Sequence, residues 1–172
     1  EYVRAVVKEI EQRQHEAGEP IRTVYIGGGT PSTLEIELVT ALTKAIDSTN
    51  IAEYTVEVNP GDVTEEYLMG LKALGVNRLS MGVQSFQDDL LQQIGRRHTA
   101  AEAIEAVRTA QKAGFENLSI DLMYALPGQT MAQWKADIET AIGLGVQHLS
   151  SYGLMYEEGT AMTQMREGGE IE

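Results

Sequence analysis

Three stretches of this chain repeat one pattern. LGVNRLSMGVQ, AGFENLSIDLM and LGVQHLSSYGL each place a glycine four and five residues ahead of a Leu-Ser pair. The glycines are Gly75, Gly114 and Gly145; the pairs are Leu79–Ser80, Leu118–Ser119 and Leu149–Ser150. Each glycine follows a helix-like segment, where a residue in the left-handed conformation ends a helix at no steric cost. The apolar run after it has the length of a buried strand. Near-copies of one helix–glycine–strand unit restrict the chain to architectures that stack such units side by side.

The remaining segments extend the alternation. The spacing predicts helix over about 2–17, strand 22–27, helix 33–48, strand 54–58, helix 64–74 and strand 78–83. Helices within 87–113, strand 118–124, helix 131–144 and strand 148–155 complete it. Alternating strands and helices with short connections imply an α/β fold with a parallel sheet covered by helices. The repeat favours a barrel-like array over an open doubly wound sheet. Thr130 starts the last of these helices, and Trp134 within it reads as packing. No linker or low-complexity tract divides the chain, so residues 1–172 are expected to form one domain.

Composition narrows the chemistry. Thirteen basic against 26 acidic residues give a net charge of −13, which disfavours a nucleic-acid or anionic-membrane partner. There is no cysteine, hence no disulfide and no thiolate-bound metal from these residues. His15, His98 and His148 have no metal-ligand spacing, and His15 reads as a solvated helix residue. No apolar run reaches membrane-spanning length and no signal peptide is visible, so the expectation is a soluble, cytoplasmic protein. The first residue is Glu1, already inside a helical pattern, which reads as a piece of a longer protein.

Parallel barrels carry their chemistry at the C-terminal ends of the strands. The first such end is TVYIGGGTPSTL, residues 23–34. It is not a Walker A loop, because no lysine occurs between Lys8 and Lys44, and it is not a dinucleotide fingerprint, because Ser32 stands where a final glycine is required. A tight strand-to-helix turn with Ser32 as the helix N-cap remains an alternative to a ligand contact. The second end offers Glu57 and Asn59, the third Gln84 and Ser85, the fourth Asp121, and the fifth lies near YGLMYEEGT. Taken singly, Glu57 fits a solvent-facing strand position, Asn59 a turn before Pro60, Gln84 a helix cap and Arg96 a solvated loop charge. Asp121 is harder to place so simply, because a carboxylate between Ile120 and Leu122 needs a partner. Together the groups form a hydrogen-bonding set of mixed charge. It suits a zwitterionic, ribose-bearing ligand better than nucleophilic or acid–base catalysis.

YIGGGTPS, EVNPG, RLSMGVQSF, IGRRH, IDLMYALPGQT and YGLMYEEGT, in this order, resemble the radical S-adenosylmethionine (SAM) proteins of the oxygen-independent coproporphyrinogen III oxidase family. GVQSF…IGRRH and EEGT are most similar to its heme-chaperone branch. The resemblance implies a partial (β/α)6 TIM-like barrel that holds SAM on a [4Fe–4S] cluster. It implies that Gly28, with Gly29 and Thr30 beside it, lies along the methionine part of SAM, and that Glu57 contacts the same molecule. Gln84, Arg96 and Asp121 match a second SAM site, to which the backbone at Met155 also draws near. The implied function is heme binding and delivery to an acceptor protein; the alternative is oxidative decarboxylation of coproporphyrinogen III. The family's CxxxCxxC loop is absent from this sequence, so the cluster ligands are expected outside the chain, shortly before Glu1, together with a first strand.

That arrangement would leave the strand at 22–27 as an open edge, and residues 1–172 alone are expected to associate. Light scattering on just these residues checks this; a stable, monodisperse monomer would overturn it.

Overall fold

The computed structural model describes residues 1–47, 49–169 and 171. Five strands form one parallel sheet in the order β1-β2-β3-β4-β5, which is also their order in the chain. They are β1 (Thr23–Ile26), β2 (Glu53–Val58), β3 (Arg78–Gln84), β4 (Asn117–Tyr124) and β5 (His148–Gly153). Helices α1 (Tyr2–Arg13), α2 (Ile36–Ala45), α3 (Glu65–Ala73), α4 (Asp88–Gln93), α5 (Ala100–Lys112), α6 (Met131–Gly143) and α7 (Ala161–Glu167) alternate with the strands or flank them. Strands that step across a sheet always to the next neighbour, with a helix at every crossing, form the wall of a β/α barrel rather than a doubly wound sheet, whose order reverses midway.

The repeated glycines act as the spacing requires. Gly75, Gly114 and Gly145 have φ of 90°, 88° and 72°, each closing the helix ahead of its strand. Helices α5 and α6 begin with reciprocal caps, Thr99 with Glu102 and Thr130 with Gln133.

Several boundaries differ from the sequence reading. The first helix stops at Arg13 and continues only as a 3₁₀ turn over Gln14–Ala17. Ser32 is not the cap of α2: a 3₁₀ turn over Pro31–Thr33 intervenes, and Glu35 holds the N-cap position without a side-chain bond. Ser32 Oγ instead accepts from Asn59 N at 3.1 Å and donates to Asp62 Oδ2 at 3.1 Å, tying the end of β1 to that of β2. The strand expected over 148–155 ends at Gly153. The helix expected over 33–48 runs only from Ile36 to Ala45, because Ile46 turns to an extended conformation; residue 48 lies outside the described residues.

Alternation along each strand separates two faces. Val56, Val58, Leu79, Met81, Val83, Leu118, Ile120 and Leu122 are buried in one core with Val39, Leu68, Leu71, Val107 and Ala110 from the helices. The other face carries Thr55, Glu57, Arg78, Ser80, Gln84, Ser119 and Asp121. One edge of the sheet is β1, whose open side borders a groove of about 960 Å³ between α1 and α2, lined in part by Val3, Val6, Ile10 and Leu34.

Tyr54 sits in the apolar layer with its hydroxyl buried and without a hydrogen-bond partner, and burial pushes its pKa up to about 12. Removing that hydroxyl relieves an unpaired polar group, so Tyr54→Phe leaves urea stability unchanged or raises it by up to about 1 kcal/mol. Leu79→Ala in the same layer lowers it by about 2–5 kcal/mol.

Candidate functional site

Glu57 spans the first two strand ends. Its Oε1 accepts from the Tyr25 hydroxyl at 2.8 Å, and its Oε2 accepts from Gly28 N at 2.9 Å. Gly27 makes this possible, since a Cβ there would stand 2.8 Å from the Glu57 carboxylate carbon and 2.6 Å from the Tyr25 ring. Gly28 and Gly29 have a different requirement: φ of 82° and 64°, with open space where their side chains would be. The turn therefore presents bare backbone to its surroundings.

At the end of β3 the ladder with β4 shifts register between Met81 and Gln84. Gln84 takes φ of 71°, a conformation that costs a non-glycine residue about 1–3 kcal/mol. Such an irregularity at a strand end re-aims a side chain. Here Gln84 Oε1 accepts from the Tyr152 hydroxyl at 2.7 Å.

Arg96 folds back over the same rim. Its Nη2 donates to Asn59 Oδ1 at 2.8 Å and to the Gly82 carbonyl at 2.6 Å. A Cβ at Gly82 would be in ordinary contact with Arg96 Nη2, at 3.4 Å, and slightly tight against the end of the Gln84 side chain, at 3.1 Å. Burial pushes the Arg96 pKa down, and its Nε is buried with no hydrogen-bond partner. Behind it, the buried His98 ring donates from Nε2 to the Val83 carbonyl at 3.0 Å, since a carbonyl can only accept. Arg97, between them, points outward and is 85% exposed.

Asp121, in the middle of β4, accepts from Ser80 Oγ at 3.4 Å. Burial, and then the charge of Glu57, raise its pKa above the ordinary carboxylate value.

These groups enclose a cleft of about 240 Å³. Six of the eight residues that the resemblance assigns to SAM line it: Gly29, Thr30, Glu57, Gln84, Arg96 and Asp121. Gly28 lines the adjoining groove along β1 and is joined to the cleft through Glu57. Met155 does not line the cleft; it lies beyond the end of β5 with its side chain 75% exposed. Asn59 is more than a turn residue, since it is an acceptor for Arg96. Tyr152 was not anticipated. Its signal was period-two alternation, which puts it on the face of Ser150, the register partner of Asp121.

Two carboxylates, one guanidinium, two carboxamides and bare glycine backbone are a donor and acceptor set for an amino-acid zwitterion and ribose hydroxyls. The unpartnered Nε of Arg96 is a buried donor without an acceptor in the protein.

A model of the radical SAM superfamily matches residues 2–141. The chain belongs to the radical SAM superfamily. That superfamily uses SAM with a [4Fe–4S] cluster, and the donor set of the cleft fits the first of these. Without cysteine, the chain itself supplies no thiolate for the cluster. It is 42% identical to the heme chaperone HemW of Lactococcus lactis over 97% of its length, which is 45% of that relative. It is 40% identical to HemW of Bacillus subtilis, over 99% of this chain and 47% of that one. Among solved structures, coproporphyrinogen III oxidase (HemN) from Escherichia coli superposes with a TM-score of 0.78 at 27% identity, covering 99% of this chain and 41% of that one. The chain thus spans about half the length of the curated relatives it matches. Among the described residues, no helix is long and apolar enough to cross a membrane.

The raised Asp121 pKa means that the folded state favours the protonated acid. Its contribution to stability is greatest in acid and is lost as pH rises through the folded pKa. Asp121→Asn therefore raises the melting temperature at pH 7, and the gain shrinks as pH falls through the carboxylate range. Thermal melts at several pH values check this; a pH-independent gain would refute the assignment.

Proposed function

We propose that residues 1–172 form the core of a radical SAM protein whose polar cleft binds SAM, and that the full protein is a cytoplasmic heme chaperone delivering heme to an acceptor protein. The observation that carries the SAM site is the convergence of Glu57, Gln84, Arg96 and Asp121 on one cleft, with the Arg96 Nε buried and unpartnered. Arg96, whose Nη2 is held by Asn59 and Gly82, supplies the positive charge for the ligand's carboxylate. Gly29, Thr30 and Glu57, which the resemblance gives to one SAM, and Gln84, Arg96 and Asp121, which it gives to a second, line one cleft and serve one ligand. Asp121 and Glu57 accept from its ammonium and ribose groups, and the bare backbone of Gly28, Gly29 and Thr30 lies along its methionine portion. Gln84, held by Tyr152, supplies an amide at the opposite wall. When bound to a cluster, SAM supplies one-electron chemistry at its sulfonium; these residues bind and orient it. Met155, outside the cleft, has no part in this site.

The relatives near 40% identity that cover nearly all of the chain are named as heme chaperones, which supports the chaperone reading. The second reading, oxidative decarboxylation of coproporphyrinogen III, is favoured by the superposition on HemN.

Two experiments on the full-length, cluster-reconstituted protein test these proposals. Calorimetric titration of SAM is expected to show at least tenfold weaker binding, or about 1.4 kcal/mol, for Glu57→Ala and Arg96→Ala. Wild-type affinity in both variants would remove the site assignment. Under anaerobic conditions with SAM, a reductant and coproporphyrinogen III, heme binding without protoporphyrinogen formation is expected. Turnover to protoporphyrinogen would replace the chaperone reading with the oxidase.

A further inference from the structure

Asp137 is a fully buried carboxylate in the middle of α6, a position that an aspartate disfavours on intrinsic grounds. No part of the cleft described above touches it. Its three hydrogen-bond donors all come from the segment that follows β3. Ser85 Oγ donates to Oδ2 at 2.7 Å, Phe86 N to Oδ1 at 2.9 Å, and Gln87 Nε2 to Oδ1 at 3.0 Å. Ser85 Oγ in turn accepts from Gln87 N at 3.1 Å, so residues 85–87 are held as a unit. Asp89 adds an outer tie between the same elements, accepting from Gln133 Nε2 at 3.1 Å.

The residue immediately before this anchored unit is Gln84, left-handed at φ of 71° and placed at the register shift of the β3–β4 ladder. A strained residue persists only where its surroundings over-determine it. On one side Gln84 is fixed by its own strand; on the other, by a unit that Asp137 locks to α6. A buried carboxylate that accepts three hydrogen bonds gives a stiffer clamp than neutral side chains could.

We propose that Asp137 is a positioning residue for the cleft, holding Gln84 in the conformation that directs its carboxamide to Tyr152 and the ligand. This rests on the cleft being the SAM site for its functional consequence, but not for the geometric coupling itself. Asp137→Asn keeps the volume of the side chain, removes its charge and turns one acceptor oxygen into an amide NH2 group, so the charge-assisted bonds become neutral ones and the Ser85 hydroxyl must turn from donor to acceptor. The hold on Gln84 is thereby weakened, while the apolar layer is untouched.

The test uses the full-length, cluster-reconstituted protein and two readouts. With a fluorine on the Tyr152 ring, fluorine NMR reports the Tyr152–Gln84 hydrogen bond directly, whether or not SAM occupies the cleft. Asp137→Asn is expected to shift and broaden that resonance; an unmoved resonance overturns the proposal. SAM titration is expected to show affinity about tenfold weaker in Asp137→Asn, and no further loss when it is added to Gln84→Ala. Losses that multiply across the two backgrounds would mean that Asp137 acts elsewhere, and would overturn it. If Gln84→Ala and Arg96→Ala bind SAM like the wild type, the SAM assignment fails while the fluorine signal still decides the coupling. Should Asp137→Asn not fold, Ser85→Ala removes one of the three donors and gives a smaller shift of the same resonance, with the same overturning result.

Discussion

In a parallel sheet every strand residue faces either the helical layer or the opposite side, and here the helical side takes nearly all the large apolar residues. Val56, Val58, Leu79, Met81, Val83, Leu118, Ile120 and Leu122 pack beneath α2, α3, α5 and α6. Fully burying one such side chain is worth about 1.5–3 kcal/mol, so this layer supplies the stability of the sheet. The opposite face is thereby released from packing duty. It carries Thr55, Glu57, Arg78, Ser80, Ser119 and Asp121, which in a closed small barrel would be expected to be branched apolar residues.

The polar face is organised by ties between neighbouring strand ends. Glu57 joins β2 to the glycine turn after β1, Ser32 joins that turn to Asn59 and Asp62, and Arg96 joins Asn59 to Gly82. Tyr152 extends the chain to β5 through Gln84. Most of these ties cross from one repeated unit to the next, and Tyr152 reaches from β5 past β4 to the end of β3, so the rim is held at several strand ends rather than by any single loop. Gly27 is small because one of these ties passes directly over it. Behind the rim, the buried Asp137 fixes the segment after β3 from the helical side. The polar face and the apolar layer are thus connected at the one point where the ladder is irregular.

The order of elements, the left-handed glycines, the strand-end location of Glu57 and Gln84 and the place of Asp121 within β4 were legible in the sequence because they follow from local periodicity and the repeat. The helix-cap alternative for Ser32 does not hold, since a serine before an apolar run signals a cap whether or not a 3₁₀ turn intervenes. Tyr152 and Asp137 escaped for a different reason. A tyrosine on a strand and an aspartate in a helix are ordinary by themselves, and only their distant partners give them a role.

The sequence by itself determined the alternation of strands and helices, the parallel sheet and the absence of any cysteine to ligate a cluster, because these depend on residue type and short-range spacing. Its motifs also carried the likeness to radical SAM proteins. Only the tertiary structure decided which of Arg96 and Arg97 turns inward, why Gly27 must lack a side chain while Gly28 and Gly29 need positive φ, and which buried carboxylate clamps the rim. Most of those choices rest on groups far apart in the chain, such as Arg96 with Asn59, 37 residues away, and Asp137 with Ser85, 52 residues away, which come within hydrogen-bond distance only when the sheet is assembled.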